Sequence, residues 1–227
     1  MSHAVQEHEY EAARGLPEPL PPGETLLWQG SPDWLLLARR AFHVRKLAVY
    51  FGLLLAWRIA GTLVDGGGAA ALLRDLAVTL PLAALGLGLT LLLAWMSART
   101  TIYTLTDRRL VLRLGIVLTV TFNLPFARIE SAALRLEPAD PQGHGDIAIT
   151  LAAGERIAYL HLWPHARPWQ LRRPQPLLRA LPDAAGVAQL LGQALARHAG
   201  QDVAPLRPLA SGHRAGATTA RPLANAT

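Results

Sequence analysis

The chain has 227 residues, 51% of them hydrophobic, and a formal net charge of +6. It contains no cysteine, which excludes disulfides, thiolate metal sites and cysteine nucleophiles. No nucleic-acid-binding motif accompanies the basic balance, so the charge suggests anionic lipid and orientation in a membrane before it suggests nucleic acid.

Residues 1–11 are polar and acidic, so no signal peptide is expected there. Pro17, Pro19, Pro21 and Pro22 favour an extended arm of polyproline type, either a stiff leader or a recognition segment. Thr25–Gln29 predicts a short strand, Gly30–Asp33 a turn, and Trp34–Val44 an interfacial helix. Arm, strand and turn together make up residues 1–40.

A helical hairpin is expected over residues 41–97. Its first apolar run, Leu47–Val64, holds one charge, Arg58. An arginine in mid-membrane costs on the order of 2.5–3.5 kcal/mol, so Arg58 is expected to snorkel beside Trp57 or to pair with Asp65 or Asp75. The second run, Leu76–Met96, has 21 residues and no charge. At about 1.5 Å per residue it matches a hydrocarbon core roughly 30 Å thick. Pro81, Gly86 and Gly88 are tolerated in a membrane span. A buried core helix is the alternative reading. The glycines of the eleven-residue link, Asp65–Asp75, suit a reversal. Arg45, Lys46, Trp57, Arg58, Trp95 and Arg99 are the expected membrane anchors. Lysine and arginine crowd the outer flanks, whereas the link holds only Arg74 against two aspartates, which puts both termini in the cytoplasm.

After the hairpin the period changes to two. Strands are predicted over 101–107, 110–116, 117–125 and 128–137, the last with helix as an alternative, and a hairpin over 146–163 supplies two more. Asp107–Arg109 is a turn, and Gly115 marks a bulge or turn. A proline-rich passage, 164–182, precedes a helix over 184–199 capped by Asp183, with Val187, Leu190, Leu191, Ala194 and Leu195 on one face. Residues 98–199 thus form one antiparallel sheet or barrel domain. Residues 200–227 lack periodicity and are expected to be disordered.

Three pieces in order, ETLLWQGSPDW, an apolar hairpin and YTLTDRRLVLRLGI, resemble the bacterial pleckstrin-homology (PH)-like membrane proteins. The stretches GLPEPLPPGE, LARRAFHVRK and LWPHARPWQL are similar to the photosynthetic-complex assembly proteins of purple bacteria, the PuhB type. The resemblance implies an α+β chain: a transmembrane hairpin in the bacterial inner membrane, then a PH-like β-sandwich with a C-terminal capping helix. It also implies a non-enzymatic factor assisting assembly of the reaction centre and its core antenna.

Several residues suggest contacts. Arg108 and Arg109, in a turn beside the bilayer, suit anionic headgroups or an acidic partner, or else pair within the fold. Trp163, His165, Arg167 and Trp169 form the best candidate surface for a partner or for lipid, because tryptophan and arginine dominate interface energetics. His161 and His165 are four apart, but Pro164 between them spoils a helical metal pair. His43 sits among basic residues and outside the spans, which gives little support to pigment ligation. No catalytic motif is present, and no cofactor is expected. Gly52, Gly86 and Gly88 suit docking on partner helices or a homo-oligomer. An anionic-lipid-binding module without a photosynthetic partner is the alternative function.

Overall fold

The computed structural model describes residues 16–200, apart from 17, 117, 139, 153–156 and 169. Residues 1–15 and Pro17 of the expected arm, Trp169 and the expected tail from 201 lie outside the described residues, whereas Pro19, Pro21 and Pro22 lie within them, and the Pro21 carbonyl accepts the Glu24 amide at 3.0 Å.

The chain opens on a strand, β1 (Leu26–Gly30), and a short helix, α1 (Trp34–Arg40). Asp33 starts α1 by accepting the Leu36 amide at 2.7 Å, which satisfies a donor the helix leaves free. Two long helices follow, α2 (Val44–Val64) and α3 (Ala69–Thr100). His43, at φ 53°, makes the sharp entry into α2.

Both long helices exceed the predicted runs, and the link shrinks to residues 65–68. Ala69, Ala70, Ala71, Leu72 and Leu73 are strong helix formers, so Arg74 and Asp75 ride on α3 and not in a loop. Along their shared seam the helices approach closely at Gly86, where an added Cβ would meet the Phe51 ring at 3.0 Å. Elsewhere their apolar side chains face outward: Leu53, Trp57 and Leu85 are each more than two-thirds exposed. No residue of α2 is buried, and α3 buries only Ala94, Ser97 and Ala98 at its far end. The core-helix alternative therefore fails.

Beyond α3 come β2 (Ile102–Thr106), β3 (Arg109–Leu114), β4 (Val120–Pro125), a single 3-10 turn (Phe126–Arg128), β5 (Ile129–Leu136) and β6 (Gly145–Leu151). A one-turn helix α4 (Tyr159–Leu162), β7 (Leu177–Leu181) and α5 (Ala184–Ala199) complete the fold. The strands form two antiparallel sheets, β1-β2-β3-β4 and β5-β6-β7. Strand β1 pairs with β2, so the helical hairpin is inserted within a sheet and does not merely precede it.

Two segments depart from the sequence-based expectation. Residues 157–163 alternate as a strand would, yet they curl into α4, with the Trp163 amide on the Tyr159 carbonyl. The last strand is instead β7, between Pro176 and Pro182 in the proline-rich passage. Both prolines flank the strand; Pro176 accepts the Ile149 amide and bridges Ala166, a pairing that makes no use of the N–H it lacks.

The core lies between the sheets, built from Tyr103, Leu105, Leu112, Leu124, Ile147, Ile149 and Leu178. Helix α5 covers it with Val187, Leu191 and Ala194. Asp183 caps that helix as predicted, accepting the Gly186 amide at 3.2 Å. Leu190 is 39% exposed and leaves the predicted face.

Candidate functional site

The chemistry concentrates where the long helices meet the sheets. Thr101 ends α3, and its hydroxyl lies 3.1 Å from Nε2 of His165. The other ring nitrogen, Nδ1, is 2.7 Å from the Tyr103 hydroxyl, which also accepts the Arg179 amide at 3.2 Å. Thr101, Tyr103 and His165 are all fully buried. Burial, helped by the Arg179 charge, lowers the His165 pKa to about 3, so the ring is neutral. Burial likewise raises the Tyr103 pKa well above the ordinary phenol value. The knot joins α3, β2, β7 and the stretch after α4.

A second set of bonds ties α1 to the other sheet. The Arg40 guanidinium lies 2.8 Å from Glu137 and 3.2 Å from Asp146. Asp146 also accepts the amide of Ala180, a residue at φ 50°. The Ala180 carbonyl in turn accepts the Asp33 amide at 2.8 Å. Leu37, Ala98 and Ala180 close over this link as a small apolar cluster. Through these two connections the sheets are held directly on the base of the helical hairpin.

The predicted site residues fall into separate groups. His165 is a correction: it is wholly buried in the knot and is not a surface contact. His161 is exposed, so the two histidines do not converge. Arg109 makes a two-bond pair with Glu24, at 2.7 and 2.8 Å, and Arg108 donates to the Gly23 carbonyl at 2.9 Å. The turn is organised by the Thr106 hydroxyl, which accepts both the Arg108 and Arg109 amides, while Asp107 accepts the Thr25 amide. Both guanidiniums thus hold the segment before β1. Arg167 donates to the Gln175 side chain at 2.8 Å. Trp163 is half exposed, with its ring edge-on to Phe42 at 5.4 Å.

The anchors lie at two levels. Arg45 and Lys46 stand exposed in the first turn of α2, near the end of α3, where the Arg99 guanidinium covers the Trp95 ring at 5.2 Å. At the other end Trp57 is exposed, and Arg58 pairs with Asp75 at 2.9 Å, as one of the two expected pairings had it. Asp75 also accepts the Thr62 hydroxyl at 2.6 Å.

Sequence reasoning missed Arg40, Glu137, Asp146 and Arg179. Their partners are remote along the chain, and neither Arg40 beside Arg39 nor Arg179 in the middle of LLRAL carries a local sign of its pairing.

A family model described as "Bacterial PH domain" matches residues 48–195. The chain belongs to the bacterial PH domain family. A Rhodobacter capsulatus protein described as "Uncharacterized 23.7 kDa protein in puhA 5'region" is 43% identical over 186 residues, covering 82% of this chain and 86% of that protein. No solved structure matches the chain. The PH domain match opens inside α2 and closes inside α5, so it takes in the hairpin, most of both sheets and the His165 knot. Strand β1 and helix α1, which bring Glu24, Asp33 and Arg40, precede it.

Proposed function

We propose that this bacterial PH domain protein is a two-span inner-membrane assembly factor for the photosynthetic reaction centre and its core antenna, acting by contact and not by catalysis. The observation that carries the reading is the outward-facing apolar surface of α2 and α3. A soluble monomer rarely exposes so large a patch. The rise from Asp75 to Trp95 comes to about 30 Å, the thickness of a hydrocarbon core. Polar or amphipathic groups stand at both limits: the Arg58–Asp75 pair at one, Trp95 with Arg99 at the other. In this reading both termini and both sheets face the cytoplasm, on the side of the arginine-rich flanks.

The partner is argued from context. The similar Rhodobacter capsulatus protein is named for the puhA 5' region, which supports a photosynthesis-gene setting for this chain. Sheets fixed to the base of a membrane hairpin suit a scaffold: the hairpin packs beside partner helices, and the PH domain meets their cytoplasmic segments. The engagement of Arg108 and Arg109 within the chain weighs against the alternative of an anionic-lipid module working through that turn.

Deleting the gene tests the proposal. Assembled reaction centre should fall while pigment synthesis continues, and reaction-centre subunits should come down with the protein from mildly solubilised membranes. Unchanged reaction-centre levels in the deletion strain would overturn it.

A further inference from the structure

Between the hairpin base and the β5–β6 loop lies a cleft of about 500 Å³, within the roughly 300–1,000 Å³ range of small-molecule pockets. One wall comes from α1 and the first turn of α2 and carries Asp33, Arg39, Arg40 and Arg45. The facing wall, from the loop, carries Glu137, Asp140 and His144. The Arg40–Glu137 pair bridges the two walls and Asp33 is taken up by the α1 cap, which leaves Arg39 and Arg45 on the helical side facing Asp140 on the loop side.

Most of these groups have assigned partners. Asp33 caps α1, and Arg40 is held by Glu137 and Asp146. Asp140 accepts the Gln142 and His144 amides and the His144 ring. Arg39 and Arg45 are exposed and make no ion pair among the described residues. Arg45 lies two residues before the apolar run that starts at Leu47; with the hairpin in a membrane, as proposed above, the cleft falls where headgroups meet the hydrocarbon. Leu35 and Leu36 line the same cleft, and Leu35 is 44% exposed.

We infer that this cleft seats the headgroup of a zwitterionic aminophospholipid, its phosphate on Arg39 and Arg45 and its primary ammonium toward Glu137 and Asp140. Guanidiniums match phosphate oxygens with paired N–H donors. An ammonium offers three N–H donors to carboxylates, which a quaternary choline nitrogen lacks. A glycerol headgroup brings no ammonium to this wall, where the side-chain partners are Arg40 for Glu137 and His144 for Asp140. Leu35 and Leu36 give the start of an acyl chain an apolar surface. The inference rests on the membrane reading of the hairpin.

The test uses the full chain in detergent, mixed with equal amounts of phosphatidylethanolamine, phosphatidylglycerol and phosphatidylcholine of matched chains, with bound lipid read by native mass spectrometry. The ethanolamine lipid should be retained about tenfold over each of the others. Arg39→Gln with Arg45→Gln, both at exposed positions, should abolish that retention with no change in melting temperature. Glu137→Gln should narrow the margin over phosphatidylcholine. Equal retention of the three lipids, preference for phosphatidylglycerol, or retention indifferent to the arginine variants would overturn the inference. Vesicle flotation of the same preparations separates the two levels. Protein that floats but shows no ethanolamine preference sinks the cleft alone, whereas protein that stays in solution sinks the membrane reading as well.

Discussion

The Tyr103 hydroxyl lies 2.7 Å from Nδ1 of His165, and neither residue has any exposed surface. This hydroxyl also accepts the Arg179 amide, and the second ring nitrogen, Nε2, lies 3.1 Å from the Thr101 hydroxyl. Both nitrogens of the buried ring thus have a hydroxyl partner, and these contacts make the end of α3 a fixed neighbour of β2 and β7.

Tyr103→Phe removes one atom and leaves two core groups, His165 Nδ1 and the Arg179 amide, without their partner. A cost of about 1–3 kcal/mol is expected. Thermal melting of the full chain in detergent measures it, and an unchanged midpoint would mean the knot carries no stability.

The same ring sets a pH dependence. Thr101, Tyr103 and the Arg179 charge face His165, and its folded pKa of about 3 lies below the ordinary 6.5. Between these values the unfolded chain binds a proton that the folded chain refuses. Stability is therefore level above pH 6.5 and falls as the pH drops below it, by up to about 1.4 kcal/mol per unit from this group. His165→Asn should remove that part of the slope. Denaturant titrations at pH 7 and 5 compare them, with wild type losing more stability than the variant between the two.

Arg109 and Glu24 should behave as a structural pair. The Glu24 side chain is only 3% exposed, so Arg109→Ala strands a nearly buried carboxylate. Breaking buried pairs costs roughly 3–5 kcal/mol, and the partial exposure of Arg109 places this one at the low end. Arg108→Ala should cost under about 1 kcal/mol. Neither change should alter binding to anionic vesicles. Weaker vesicle binding by Arg109→Ala at unchanged stability would reassign the turn to lipid.

Within the hairpin, Arg58→Gln alone leaves Asp75 facing Thr62 without its cation. A loss of about 1–3 kcal/mol is expected, and the double variant Arg58→Gln, Asp75→Asn should recover most of it. Folded yield in membranes after controlled expression reads both.

Much of this was legible in the sequence because the signals were local. The apolar runs announced α2 and α3, the β-branched alternation from Thr101 announced β2, and Asp183 announced α5. Helix ends were less legible, because Ala69–Leu73 reads as a glycine-led link until tertiary context extends the helix through it. Four residues at period two cannot distinguish one helical turn from a strand, which is why α4 was misread. Proline at both ends concealed β7. His165 looked like a surface residue because its neighbours Trp163 and Arg167 are polar or aromatic, whereas its burial depends on Tyr103 and Thr101, more than sixty residues away.

The central claim is that α2 and α3 cross a membrane and carry the sheets on the arginine-rich side. The absence of native cysteine makes single-cysteine labelling direct. Gly68, with open space around its Cβ position, marks the link, and Leu171, 67% exposed, marks the domain. In intact spheroplasts an impermeant maleimide should label Gly68→Cys, and it should label Leu171→Cys only after the membrane is opened. Equal labelling of the two before permeabilisation, or the reverse pattern, would contradict the account.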